Sequence, residues 1–243
     1  LMHGARSTHF ADPGEFRNTQ NWIGGKGPED ASFVPPAPED LHIPLRDLEK
    51  FIHTPYIHPI IDAGLLHAQF ETIHPFLDGN GRTGRLLITF YFIHYKYLEL
   101  PALFLSSYFK RHQKVYYQRL NEYHAGDIIP WIDFFVDAVV DTAQEAIEIS
   151  KQVTKLRDND LAAISRFSKK TSDIAVVVVQ KLYKNPIVSS TTIQEWVGQT
   201  KPGTFKFIDK LVEAGILVLH RKSEGIRPSL YAHKAYLKIF EDK

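Results

Sequence analysis

The chain contains no cysteine. That absence excludes disulfides and thiolate metal centres, and it fits a reducing, cytoplasmic setting. Methionine occurs once and tryptophan three times, which leaves no methionine stripe and no aromatic cofactor box. Long apolar runs are missing as well. The longest, Leu86–Ile93, is far short of the ~20 residues that a membrane span requires, so no membrane partner is expected. Neither sign of charge dominates, with 29 Lys and Arg against 28 Asp and Glu. Leu1-Met2-His3-Gly4 has neither the basic start nor the apolar core of a signal peptide, and it reads as the end of a helix belonging to a longer chain. What remains is globular composition: 44% hydrophobic and 23% charged over 243 residues. That is too apolar for disorder, and at ~150 residues per domain it allows one large domain or two unequal ones.

Hydrophobic spacing predicts a mainly α chain. Phe16–Gly25 and Ala31–Val34 are short extended pieces around a Gly/Pro-rich turn, the pattern of a small surface hairpin. Helical periodicity follows in Leu41–Ile52, Ile60–Ile73, Leu86–Tyr97, Tyr108–Tyr123 and Trp131–Leu156. Leu86–Tyr97 is apolar almost all round, as expected of a helix in the middle of a domain. In Trp131–Leu156 the expected packed face is Ile132, Phe135, Val136, Val139, Val140, Ala143 and Ile147. Residues 1–156 thus read as one helical domain and the charged stretch 157–172 as a linker. Residues 173–243 read as a second domain: short helices over Asp173–Tyr183 and Thr191–Val197, a turn at Pro202-Gly203, a helix over Thr204–Ala214, then strands Ile216–Arg221 and Ser229–Ala232 and a last helix. Three helices followed by a hairpin are the order of a winged helix-turn-helix, whose third helix faces a DNA groove or a protein partner. Residues 171–243 carry 11 basic against 7 acidic groups, a modest basic excess.

The chemistry is concentrated in residues 74–85, HPFLDGNGRTGR. Gly79, Gly81 and Gly84 match the dinucleotide fingerprint, with Glu99 about 20 residues on as that fingerprint asks. Yet the fingerprint needs a preceding strand and a βαβ unit, and a helix precedes this one. No Lys-Ser or Lys-Thr pair closes the run, which excludes a Walker loop. Read physically, Gly79-Asn80-Gly81 can take positive φ angles and gather backbone N–H groups into an anion nest at a helix N-terminus. Arg82 and Arg85, three apart, share a helix face and suit a polyphosphate. Asp78 would repel that phosphate unless it holds Mg²⁺. His74 stands just before the nest, placed to serve as a base toward an attacking nucleophile. Pro75 and Phe76 read as anchors of the loop. His53, His58 and His67 have no HExxH or carboxylate pairing, so zinc is not expected.

The same residues resemble the signature of Fic-domain proteins, H-P-F-x-[D/E]-G-N-G-R-x-x-R, at every fixed position. FRNTQNWIGG with the Pro35-Pro36 stop resembles the family's flap hairpin, and YYQRLNEYHAGD the segment that closes around the nucleotide base. The resemblance implies a Fic helical core with a β-hairpin flap, and protein adenylylation: AMP passes from ATP to a hydroxyl of a target protein, the chain itself included. By position it implies His74 as the base, Asp78 on Mg²⁺, and a phosphate cradle of Gly79, Asn80 and Gly81 continued by Thr83 and Gly84. It further implies Arg82 and Arg85 on the outer phosphates, the flap residues Asn21, Trp22, Ile23 and Gly24 bordering nucleotide and target, and Tyr116 and His124 near adenosine. His124 departs from the Asn of some relatives. Gly81, where a phosphotransferase branch has Lys, argues for adenylyl transfer. The S/T-x-x-x-E-G/N pattern of an inhibitory helix is absent, and in the branch most alike it lies upstream of the flap, ahead of residue 1. Two other readings stay open: phosphoryl or other nucleotidyl transfer by the same site, and a nucleotide-sensing regulator binding DNA through residues 201–214. A homodimer is a further candidate state.

Overall fold

The structure is a computed structural model that describes residues 14–241; the reading of Leu1–Gly4 as a helix end lies outside the described residues. Helices dominate, in the order α1 (His42–His53), α2 (Pro59–Ile73), α3 (Asn80–His94), α4 (Leu105–Arg111), α5 (Gln113–His124), α6 (Ile129–Ile164) and α7 (Lys169–Leu182). Then follow β1 (Ile187–Ser189), α8 (Ser190–Val197), α9 (Lys201–Glu213), β2 (Val218–Arg221), β3 (Leu230–Ala232) and α10 (Lys234–Glu241). The chain divides into two compact units, Leu1–Ala146 and Ile147–Lys243. The division thus falls inside α6, earlier than the charged stretch 157–172, whose first residues continue that helix.

In the first unit the central element is α2. It opens on Pro59, a residue that suits the first helical position, and His58 caps it by accepting from Ile60 N–H at 3.3 Å. Ala63, Leu66, Ala68, Phe70 and Ile73 are all buried on it. Gly64 lets α6 lie close, because a Cβ there would stand 2.9 Å from the Phe135 ring, and Trp131 donates to the Gly64 carbonyl at 2.9 Å.

Four sequence expectations are corrected here. Helix α3, not α2, was expected to be buried all round, yet Phe90 on it is 57% exposed while only Ile88, Tyr91 and Phe92 among its large apolar side chains are in the core. The packed face of α6 in this unit runs through Trp131, Phe134, Phe135, Ala138 and Val139, with Val140 exposed; the periodicity was placed slightly out of phase, because Ile147 and Val140 are apolar yet point outward. The helix expected over Tyr108–Tyr123 breaks at His112 into α4 and α5. The flap is slighter than a hairpin of two strands. A single antiparallel bridge joins Ile23 to Phe33, and Asp30 closes the turn by accepting from Lys26 and Gly27 N–H at 2.7 and 2.8 Å.

The second unit packs Val178, Val179, Leu182, Ile193, Phe207, Ile208 and Leu211 beneath a three-stranded antiparallel sheet of order β1-β3-β2. Strand β1 is too short to be read from alternation. Pro202-Gly203 is not a turn: both residues lie in the first turn of α9, where proline's missing N–H costs nothing. The turn precedes them, at Gly198, whose left-handed φ of 62° ends α8. A buried polar cluster links three elements, with Asp160 accepting from Tyr183 OH at 2.7 Å and pairing with His233 Nε2 at 2.8 Å. Among the described residues no helix is long and apolar enough to cross a membrane.

Candidate active site

The site grows from the junction of α2 and α3. Helix α2 ends on His74, which adopts the left-handed conformation (φ 47°, ψ 59°) without being glycine. Such a residue is uncommon and needs to be held. Arg17 holds it. Its Nε donates to the His74 carbonyl at 2.9 Å, its Nη2 reaches Ile73 O at 3.5 Å and also Pro36 O, and its own backbone N–H bonds Pro75 O at 2.9 Å. A guanidinium at the carboxyl end of a helix caps orphan carbonyls and meets the negative pole of the dipole. Arg17 is therefore buried, and it ties both ends of the flap to the catalytic junction.

The His74 ring lies with Nδ1 3.2 Å from the Glu71 carbonyl. A carbonyl oxygen only accepts, so the proton resides on Nδ1 and Nε2 keeps its lone pair. Burial lowers the pKa of this imidazole; the Glu71 carbonyl opposes that shift and the Arg17 charge reinforces it. The ring is thus neutral at physiological pH, the form a base requires.

Beyond His74 the chain turns tightly, and Asn80 clasps the turn. Its Oδ1 accepts from Phe76 N–H at 2.8 Å and its Nδ2 donates to Phe76 O at 2.6 Å. Asn21 of the flap adds a bond to Phe76 O at 3.1 Å. Only Gly79 has a positive φ, 88°; Asn80 and Gly81 are already helical, because α3 starts at Asn80 rather than at Leu86. The anion-attracting element is therefore less a glycine nest than the open end of a helix. Thr83 N–H already bonds Gly79 O at 3.0 Å, while the N–H groups of Asn80, Gly81 and Arg82 have no partner within the helix. No side chain caps them.

Arg82 pairs with Asp78 at 3.2 Å, both about half exposed. A surface pair of this kind is worth ~0–1 kcal/mol, so Arg82 is released cheaply to a stronger ligand. Asp78 is a single carboxylate, which suits an Mg²⁺ completed by phosphates and water, not a cage made of protein alone; no cluster of three metal-binding groups occurs among the described residues. Arg85 is held by Ser106 of α4, with Nε 3.1 Å from its Oγ, and its Nη1 lies against Gly81 at the head of α3.

The remaining candidates separate. His124 ends α5 and stacks on Phe33 of the flap, ring centroids 3.7 Å apart. Neither of its nitrogens has a partner, and burial, reinforced by His74, pushes its pKa down to about 4. Asn21 Oδ1 is buried and unpartnered too. Trp22 is partly exposed and Ile23 makes the flap's bridge. Gly24 turns the flap with φ 73°, against Ser32, whose Oγ would lie 2.7 Å from a Cβ there. Tyr116 lies in the core, its hydroxyl 2.9 Å from His67 Nε2. Three contributors had no signal in the motif: Arg17, far off in sequence, and His67 and Glu71 on α2. For the last two the helical spacing to His74 was the available sign.

Known proteins give the same reading. Residues 1–92 match the model of the Fic/DOC family. The chain is 31% identical over 172 residues to a protein adenylyltransferase Fic of Drosophila willistoni, covering 62% of this chain and 32% of that one. It is 36% identical over 132 residues to its namesake from Drosophila virilis, covering 53% and 24%. The chain thus spans a third or less of the length of these curated relatives. Among solved structures it is similar to a Fic family protein from Desulfovibrio desulfuricans G20, with a TM-score of 0.55 and 20% identity over 96% of this chain and 65% of that one; at that identity the likeness concerns the fold. The likeness to the Fic/DOC family thus falls on residues 1–92, which include the site described above.

Proposed function

We propose that the chain is a protein adenylyltransferase. In this reading His74 Nε2 takes the proton of a Ser, Thr or Tyr hydroxyl on a target protein. The freed oxygen bonds to the α-phosphorus of ATP, and the bond from that phosphorus to the bridging oxygen breaks, its electron pair leaving with pyrophosphate. The N–H groups at the head of α3, with Arg82 and Arg85, meet the phosphate charge, and such positioning and charge stabilisation dominate phosphate chemistry. Mg²⁺, when bound, would neutralise phosphate charge from Asp78. The observation that carries the reading is one juxtaposition: a neutral imidazole with Nδ1 tied to Glu71 O, one tight turn away from a helix N-terminus that no side chain caps. The relatives' names support the same chemistry.

The test is transfer of label from ATP to protein, in lysate and with the chain itself as target. α-Phosphate label should appear on protein and γ-phosphate label should not; the reverse would establish phosphoryl transfer instead. His74→Ala should remove the transfer, since a positioned base contributes ~10²–10⁴-fold. Undiminished transfer by that variant defeats the assignment.

For residues 173–243 we propose a winged helix-turn-helix, supported by the order α7-β1-α8-α9-β2-β3 and the antiparallel pairing of β2 with β3. Lys201, Lys206 and Lys210 are exposed on α9, which favours a phosphate-backbone contact, while Asp209 and Glu213, exposed on the same helix, oppose it. A salt-dependent shift of duplex DNA, lost when the three lysines are replaced, would support that contact.

A further inference from the structure

The mechanism above uses the carbonyl of Glu71 and leaves its side chain unexplained. That carboxylate belongs to a residue only 6% exposed. Its Oε2 lies 3.7 Å from His74 Nδ1, on the same nitrogen that the Glu71 carbonyl accepts from. Its Oε1 has no hydrogen-bond partner. A carboxylate kept for packing or for a structural ion pair would have both oxygens satisfied, because burying an unpaired one is costly. We infer that Glu71 is the positioning residue of the base: its carbonyl fixes the His74 ring, and its carboxylate, 3.7 Å away, balances the charge that the ring acquires on taking the target's proton. This rests on His74 being the base in the proposed reaction.

The backbone of α3 is built around this carboxylate. A Cβ at Gly84 would stand 2.9 Å from Glu71 Oε1 and 3.0 Å from His67 Nδ1. His67 Nδ1 is likewise buried without a partner. Glycine at 84 thus preserves a small space shared by two polar atoms, one turn apart on α2. From there the chain of groups continues through His67 Nε2 to the Tyr116 hydroxyl at 2.9 Å. A triad's third member works in the same manner, holding the tautomer and stabilising the imidazolium without touching substrate.

The charged surroundings set the pH response. Burial raises the Glu71 pKa to about 7, against the opposing pull of the Arg85 guanidinium on α3. His67, on the same helix, is pushed by burial to about 4 and stays neutral, and Tyr116 on α5 is held protonated by burial. Toward His74 itself face Arg17 and, from α5, His124. Both an unprotonated His74 and an ionised Glu71 are needed, and Glu71 has the higher value. AMP transfer should therefore climb as pH rises through the ionisation of Glu71.

The experiment uses the full chain and Glu71→Gln, which keeps the shape and removes the charge. The imidazole resonance of His74, assigned by its loss in His74→Ala, is followed against pH by NMR. In the wild type it should show a second inflection near the Glu71 value of about 7, and Glu71→Gln should remove that inflection, because the neutral amide no longer titrates beside the ring. In transfer assays kcat should drop by ~10- to ~100-fold with KM for ATP little changed, and the rising limb should move to lower pH. Should Glu71→Gln fail to fold, the wild-type His74 resonance must itself show a second inflection near the Glu71 value of about 7. An inflection near 7 that persists in the folded variant, or a single inflection in the wild type, overturns the inference. Absence of AMP transfer by the wild type alongside an inflection near 7 that Glu71→Gln removes would instead defeat the adenylyl reading alone.

Discussion

Asn80 commits both ends of its amide to a single residue, Phe76, and so sets the turn between the base and the head of α3. Asn80→Ala would strand the Phe76 N–H in a partly buried place and leave its C=O to Asn21 alone, at ~1–3 kcal/mol for a lost pairing of this kind. Denaturant unfolding should show that loss, and the KM for ATP should rise, because the first N–H groups of α3 would no longer be held. Unchanged stability would mean that Asn21, which also reaches Phe76 O, holds the turn alone. At this scale the sequence was most legible where chemistry and spacing coincide. His74, Asp78, Gly79 and the two arginines lie within twelve residues and could be read together as a phosphate site. Arg17 and Glu71 could not. Arg17 acts across 57 residues, a distance no local pattern reports, and Glu71 reads as an ordinary exposed carboxylate until the fold buries it.

Among the elements, the flap and the end of α2 are one mechanical piece, joined by a single guanidinium. The fork of Arg17 spans the His74, Ile73 and Pro36 carbonyls at once. A lysine keeps the charge but offers one compact donor head instead of a planar fork. Arg17→Lys should therefore loosen the flap while leaving the helices intact. Hydrogen exchange is the measurement: the Ile23 and Phe33 amides, which form the flap's bridge, should lose protection, while amides within α2 keep theirs. Equal protection in both proteins would assign the flap's order to Asp30 and the Phe33–His124 stack instead. Helix positions were readable here from periodicity, but their ends and faces were not. Proline at Pro202 signals a turn locally, yet it is equally suited to the first turn of a helix, and only packing of Phe207, Ile208 and Leu211 decides between them. The all-round apolar look of Leu86–Tyr97 likewise failed, because aromatic side chains such as Phe90 are tolerated at the surface.

The whole molecule comprises two compact units, each with its own core, and the second is organised around a buried acceptor of its own. Asp160 is 6% exposed and His233 fully buried, and burial, with the hydrogen bond to Asp160, raises the Tyr183 pKa so that the phenol stays a donor. Asp160 is thus the one acceptor shared by the tail of α6, the end of α7 and the start of α10. Asp160→Ala would leave His233 Nε2 and the Tyr183 hydroxyl without it, and each buried polar group left unpaired costs ~1–3 kcal/mol. That is a large share of the ~5–15 kcal/mol that stabilises a typical domain. Calorimetry of the full chain should then show the transition of residues 147–243 at lower temperature, with the transition of the helical unit and its affinity for Mg-ATP retained. A single transition displaced as a whole would show instead that the two units unfold as one body. Nucleotide affinity would then be expected to fall with it, because ligand binding and folding of the site would share one equilibrium.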